Sequence, residues 1–243
     1  MVVIHDITRN DQVDVTNETL SQYLNTNTPV VFTGLTKTWP AMNKWIDDKY
    51  ILSTIGEHKV EVNMCTFGKM SDIFTMPFSE YWQLSTTGWP DLQPIATHQN
   101  TPYLRNFDIF GNFPQLGNDV LNEHLFDSNI HNMIVRGAFI GAKNTATHFH
   151  KDTGDNVVAV IRGSKFVVLV PPSEESNVVR SMVNIGGADG IPLAEHPSME
   201  RVGQAYATTL QAGEALFIPI GWVHYVHNQE FTVSVSCWGK QMI

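Results

Sequence analysis

Apolar residues are spaced in two different ways along this chain, and the change falls near residue 130. Ahead of it the spacing is mixed. Thr16 and Asn17 are residue types that cap helix N-termini, and Leu20, Tyr23 and Leu24 then share one helical face. Residues 29–32 are a short apolar β-type run closed by Gly34, and Trp39-Pro40 opens a second helical region carrying Trp45, Tyr50 and Leu52. Over 59–65, Val60, Val62 and Met64 alternate with polar residues, as in a half-buried strand. Further helices are predicted over 78–84 and 114–126.

Beyond residue 130 the pattern is one of short strands. They are predicted over 133–140, from 147, over 157–161 and 166–170, and then over 207–210, 215–218, 223–227 and 231–238. Arg162-Gly163-Ser164 is a short hairpin signal between the third and fourth of these. Residues 177–203, rich in Gly, Pro and Glu, read as an insertion. There is no internal repeat. Many short strands separated by turn residues predict a mainly β sandwich or barrel, with the helices of the first half around it.

Composition narrows this picture. Of 243 residues, 42 % are hydrophobic and 16 % charged, against about 25 % charged in an average globular domain. One domain is expected over 1–243, with a mixed part over 1–128 and a strand-rich core over 129–243. The net charge of −9 argues against a nucleic-acid partner held by its phosphates, which needs a basic face. No run reaches the roughly 18 apolar residues of a membrane span, and the N-terminus lacks the basic-then-apolar order of a secretory signal. With only Cys65 and Cys237 far apart, a reduced, cytoplasmic compartment is the expectation, or a nuclear one in a eukaryote.

Four of the ten histidines fall in two tight clusters inside the strand-rich half. In a strand, alternate residues share a face about 7 Å apart, so His148, His150 and Asp152 point the same way. Two such neighbours can converge on one metal ion; three in a row cannot easily do so. His224 follows 74 positions after His150, after a Gly-Glu-Ala-Leu-Phe-Ile-Pro run, and completes a set if the strands fold back. Two imidazoles and one carboxylate occupy one face of an octahedron and leave three positions open, as in non-haem Fe(II) oxygenases. Taken singly, each histidine reads as a satisfied core or surface residue. His5, His58, His98, His124, His131 and His196 have no constellation around them, His227 reads as a strand end, and Trp222 and Trp238 either line the site or, more simply, fill the barrel.

The segment His150-Lys151-Asp152-Thr153-Gly154-Asp155-Asn156, the turn Arg162-Gly163-Ser164-Lys165 and the stretch from Gly213 through Pro219 to His224 together resemble the Jumonji-C family of Fe(II)- and 2-oxoglutarate-dependent oxygenases. Upstream, residues 29–34, Trp39-Pro40-Ala41 and Tyr103-Leu104 with Phe110, Pro114, Leu116 and Asp119 extend the resemblance over most of the chain. It implies a double-stranded β-helix (jelly-roll, cupin) core with N-terminal helices packed around it. It makes His150, Asp152 and His224 the iron ligands and Lys165 the partner of the distal carboxylate of 2-oxoglutarate. Thr147, Tyr103 and Asn156 match positions that hydrogen-bond or brace the co-substrate. Thr147 has the opposite strand parity from His150, so that role needs a bend between them.

The implied reaction is hydroxylation of a C–H bond with dioxygen. Small members of the resembled family act on protein or peptide side chains, and an acidic enzyme suits Arg or Lys. A tRNA-base hydroxylase and a histone lysine demethylase are the alternatives within the family. Some members of the resembled family dimerise through a helical tail after the core, and none follows Trp238 here, so the resemblance implies a monomer. His148 opens a second register, shared with small-molecule cupins that do not use 2-oxoglutarate: His148, His150 and His224 would bind the metal, Asp155 would replace a glutamate, and Asp152 would stand aside. A non-enzymatic cupin-fold binding protein is a third class.

Overall fold

Period-2 alternation in the second half of the chain becomes two sheets that face one another across an apolar interior. The computed structural model describes residues 2–11, 17–64, 73–89, 101–121, 125–126, 131–179 and 192–241. The first half supplies β1 (Val3–Asp6), β2 (Arg9–Asn10), α1 (Asn17–Thr26), β3 (Val30–Phe32), α2 (Ala41–Lys44), α3 (Asp48–Ile55), β4 (Lys59–Met64), β5 (Ile73–Pro77), α4 (Phe78–Thr87), β6 (Pro102–Phe107), α5 (Ile109–Asn112) and α6 (Pro114–Gly117). The second half supplies β7 (His131–Gly141), β8 (Ala146–Lys151), β9 (Asp155–Arg162), β10 (Ser164–Val170), β11 (Gln204–Gln211), β12 (Ala215–Ile218), β13 (Val223–Asn228) and β14 (Thr232–Gln241).

These last eight strands form a jelly roll. β12-β9-β14-β7 make the centre of a large sheet, extended by β2 and β3 at one edge and by β6, β4 and β5 at the other. β11-β10-β13-β8 make the facing small sheet, with β1 added at its edge. The chain passes repeatedly from one sheet to the other, so its neighbours in space are far apart in sequence.

Strand parity sorts the side chains. From β9 and β12, Val158, Val160, Leu216 and Ile218 point inward and meet Val167, Leu169 and Leu210 of the small sheet. Val157, Ala159, Ile161, Val233 and Val235 point outward and bury Trp39, Trp45, Ile51, Ile55 and Trp82 of the helical shell. The outer face of the small sheet is covered separately, with Val168, Val170 and Tyr225 against Val178, Met199 and Val202. Each such side chain contributes roughly 1.5–3 kcal/mol on burial, so both faces of the large sheet are anchored.

Three local expectations need correction. The hairpin signal at Arg162-Gly163-Ser164 marks a corner, because β9 pairs with β12 and β14 whereas β10 pairs with β11 and β13. Gly163, at φ +78°, packs so closely on Phe231 and Thr232 that a Cβ would lie 2.7 Å from Thr232 Oγ1. The helix expected over 114–126 ends at Gly117, because Asp119 is drawn inward to Lys44, Trp45 and Tyr50 and its carbonyl accepts from Ala41 N. The helical region after Pro40 is two helices, broken where the Asp47 side chain caps Lys49 N at 3.0 Å. Strand β6 is not among the elements that the periodicity predicts; of its residues only Tyr103 and Leu104 carry the family resemblance. Cys65, His98, His124 and residues 180–191 of the expected insertion lie outside the described residues. Among the described residues, no helix is long and apolar enough to cross a membrane.

Candidate metal centre and its cavity

Strand β8 carries the first ligand candidates, and its pairing with β13 is irregular. His150 lies opposite His224, whereas Thr147 lies opposite Val226, so three residues of β8 span two of β13. This β-bulge supplies the bend that Thr147 requires. Thr147 and His150 both line one cavity between the sheets despite their opposite parity. The bulge also moves His148 off that face: its ring packs edge-on to Tyr225, 6.1 Å between centroids, on the outer side of the small sheet.

Asp152 follows directly after β8 and faces both imidazoles. His150 Nε2 is 3.6 Å from Asp152 Oδ1, His224 Nε2 is 3.5 Å from Asp152 Oδ2, and the two rings are 4.1 Å apart. One ligand atom from each of the three lies within 4.8 Å of the others. Each imidazole has its Nδ1 at the carbonyl two residues earlier, His150 on His148 at 2.8 Å and His224 on Trp222 at 3.1 Å. A carbonyl only accepts, so Nδ1 donates, and a neutral ring then offers a bare Nε2 lone pair. Burial first, and then the neighbouring His150, push the His224 imidazolium down to about 4, so this ring is neutral at pH 7. Asp152 is itself held, since Asn156 Nδ2 and Trp238 Nε1 both donate to its Oδ2 at 2.8 Å. Three acceptor groups thus converge on one point, which is favourable only with a cation among them.

The other end of the cavity holds Lys165, on β10 and only 2 % exposed. Its ammonium donates to Asn228 Oδ1 at 2.7 Å and to the Tyr103 hydroxyl at 3.2 Å. Asn228 is the cross-strand partner of Lys165 and ties its own amide to Thr145 Oγ1 and the Gly141 carbonyl. Gly141 has no Cβ for a reason: one would lie 2.6 Å from the Tyr103 ring. The cavity spans about 360 Å³ with its mouth included, and Phe139, Val158 and Val226 give it apolar walls. Asn156 Oδ1 is buried there without a hydrogen-bond partner among the described residues, an acceptor left for a bound water or ligand.

All seven residues singled out from the sequence therefore meet at this site: His150, Asp152 and His224 at one end, with Asn156 bonded to Asp152, Lys165 and Tyr103 at the other, and Thr147 in the cavity wall. The three-histidine set of the second register is not assembled. His148 is on the outer face, and Asp155 engages His131 and Ile220 N instead. Two contributors were read otherwise from the sequence. Trp238 appeared as core packing, but its indole holds Asp152, and its even spacing with Ser234 and Ser236 along β14 was the available signal. Asn228 has no part in the ligand set or the co-substrate positions read from the sequence, and nothing local marks it as the anchor of Lys165.

The residues present fit a divalent ion held by two imidazoles and a carboxylate. A buried ammonium with hydroxyl neighbours in the same cavity suits a dicarboxylate. Residues 16–241 match the Cupin-like domain family. The chain is 45 % identical over 258 residues to JmjC domain-containing protein A of Dictyostelium discoideum, covering 100 % of both chains. It is 26 % identical to a human tRNA wybutosine-synthesizing protein, over 88 % of this chain and 71 % of that one. It is 24 % identical to a human bifunctional peptidase and (3S)-lysyl hydroxylase, over 87 % and 77 %. Other curated relatives are matched over about half of their length. The chain belongs to the cupin-like JmjC-domain family. Membership makes it an oxidoreductase of an oxygenase family.

Proposed function

We propose that this protein is an Fe(II)- and 2-oxoglutarate-dependent dioxygenase that hydroxylates an Arg or Lys side chain of a protein or peptide. The observation that carries the reading is the pairing, in one cavity, of the His150–Asp152–His224 cluster with the buried ammonium of Lys165. When bound, iron and 2-oxoglutarate supply the oxidising chemistry: dioxygen is consumed, the keto acid leaves as succinate and carbon dioxide, and a substrate C–H bond becomes C–OH.

The chain's own residues bind, orient and exclude. His150 and His224 hold the metal through Nε2, each aimed by its Nδ1–H bond to a backbone carbonyl. Asp152 supplies the carboxylate, and Asn156 and Trp238 prevent its rotation. Lys165, set by Asn228, pairs with the far carboxylate of the co-substrate, and Tyr103 and Thr147 offer hydroxyls along its length. The apolar walls keep water from competing.

For the substrate, the net charge of −9 favours encounter with a basic side chain, and a relative named as a lysyl hydroxylase is consistent with that. A tRNA substrate, suggested by another relative, needs a basic face that only 15 Lys and Arg are available to build. A reducing compartment completes the proposal. Anaerobic titration with Fe(II) and 2-oxoglutarate tests it. A visible charge-transfer band, weakened by Asp152→Ala and by Lys165→Ala, is expected. Tight metal binding without that band would replace the reading by a cupin chemistry independent of the keto acid.

A further inference from the structure

The face of the large sheet opposite the cavity carries a buried pair that the reading above does not use. Asp155 opens β9 three residues after Asp152, and its Oδ2 lies 3.2 Å from His131 Nε2. Its Oδ1 accepts from Ile220 N at 2.8 Å. Both side chains are buried, and His131 Nδ1 has no hydrogen-bond partner among the described residues. Because a carboxylate only accepts, His131 donates to it through Nε2. The Phe126 ring covers the pair, 5.2 Å from His131, and it fits there because Gly239 has no Cβ, which would lie 2.9 Å from that ring.

A buried carboxylate costs several kcal/mol of lost hydration, and an apolar residue would fill this place more cheaply. What Asp155 adds is a tie between the two segments that carry the metal ligands. Asp152 sits at one end of the loop that enters β9. Ile220 belongs to the turn over 219–222, where Gly221 adopts φ +91° and the Trp222 carbonyl receives the His224 Nδ1 hydrogen. Loosening Ile220 frees the Trp222 carbonyl, and with it the aim of His224.

We propose that the His131–Asp155 pair is a positioning device for the metal centre, setting His224 and Asp152 through Ile220 and the Trp222 carbonyl. It rests on the metal-centre reading above. Removing such outer partners typically lowers metal affinity 10- to 100-fold. Mn(II) is the probe, its binding followed by the electron paramagnetic resonance signal of the free ion, alongside thermal melting of the metal-free protein. Asp155→Ala is expected to weaken Mn(II) binding about 10- to 100-fold, and His131→Ala about tenfold. His131→Gln keeps an N–H donor for Asp155 and is expected to bind close to the wild type. A pair that only supports the fold would lower the melting temperature in both His131 variants and leave Mn(II) affinity unchanged. That result, or wild-type affinity in Asp155→Ala, overturns the proposal. Should Asp155→Ala fail to fold, the two His131 variants decide alone. A wild-type protein that binds no Mn(II) overturns the metal-centre reading, and this inference falls with it.

Discussion

Two buried aspartates show how one residue type serves structure in one region and chemistry in another. Asp119, in the turn after α6, has both carboxylate oxygens answered by donors of the chain: Lys44 Nζ at 2.6 Å on Oδ1, and Trp45 Nε1 at 3.1 Å and the Tyr50 hydroxyl at 2.6 Å on Oδ2. Burial and the facing carboxylate hold the Tyr50 phenol above its usual range, so it stays a donor. Asp152 is answered on one side only. Asn156 and Trp238 hold Oδ2, while the groups facing the carboxylate from the cavity are two imidazole acceptors. A carboxylate surrounded by donors is finished, whereas one surrounded by acceptors is incomplete without a cation. Asp119 therefore closes the helical shell, and Asp152 opens a site.

The comparison makes opposite predictions for the two alanine variants. Asp152→Ala should reduce Fe(II) or Mn(II) affinity by more than about 100-fold, beyond the usual effect of an outer-shell change, while the metal-free melting temperature holds or rises. Calorimetric metal titration paired with melting curves checks both halves. Asp119→Ala should do the reverse. It strands the Trp45 and Tyr50 donors and should cost about 3 kcal/mol, a fall of roughly 6–12 °C in Tm. Metal affinity per folded molecule should stay at the wild-type value.

Acid should act on the open site. Unfolded His224 takes a proton near pH 6.5, whereas the folded ring resists until about 4. Between these values the unfolded chain binds more protons, so stability is full above pH 6.5 and is lost as pH falls towards 4, by up to about 3 kcal/mol. Urea midpoints of the metal-free protein across this window should shift accordingly, and His224→Gln should flatten the slope.

At the far end of the cavity the expected effects are smaller. Lys165→Ala removes a charge-assisted bond worth about 1.5–3 kcal/mol, so 2-oxoglutarate should bind roughly 10- to 100-fold more weakly with metal affinity unchanged. Asn228→Ala leaves the ammonium but frees it to move, and about tenfold or less is expected. An Asn228 effect equal to that of Lys165 would mean the amide contacts the co-substrate itself.

Much of the site was legible because its chemistry is local. His150-Lys151-Asp152 puts two candidate ligands within three residues, and Lys165 follows a turn whose glycine is conspicuous. The strands were legible because each needs an apolar face every second residue. Where reading failed, a distant contact outweighed a local preference. Asp119 stops a helix that its flanking residues would continue, and β9 and β10 decline a hairpin because each has better partners on another sheet.

What the sequence by itself determined is the periodicity of each strand, and therefore which side chains share a face, together with the types of ligand available. Only the tertiary structure decided the register. A one-residue bulge in β8 places Thr147 beside His150 and sends His148 to the other side, a choice invisible in an unbroken alternation. Pairing is equally non-local: Lys165 finds Asn228 63 positions away, and Trp238 finds Asp152 86 positions away. Short-range preference fixes a strand's two faces, but which strand lies beside it depends on burying both faces at once, a property of the whole chain.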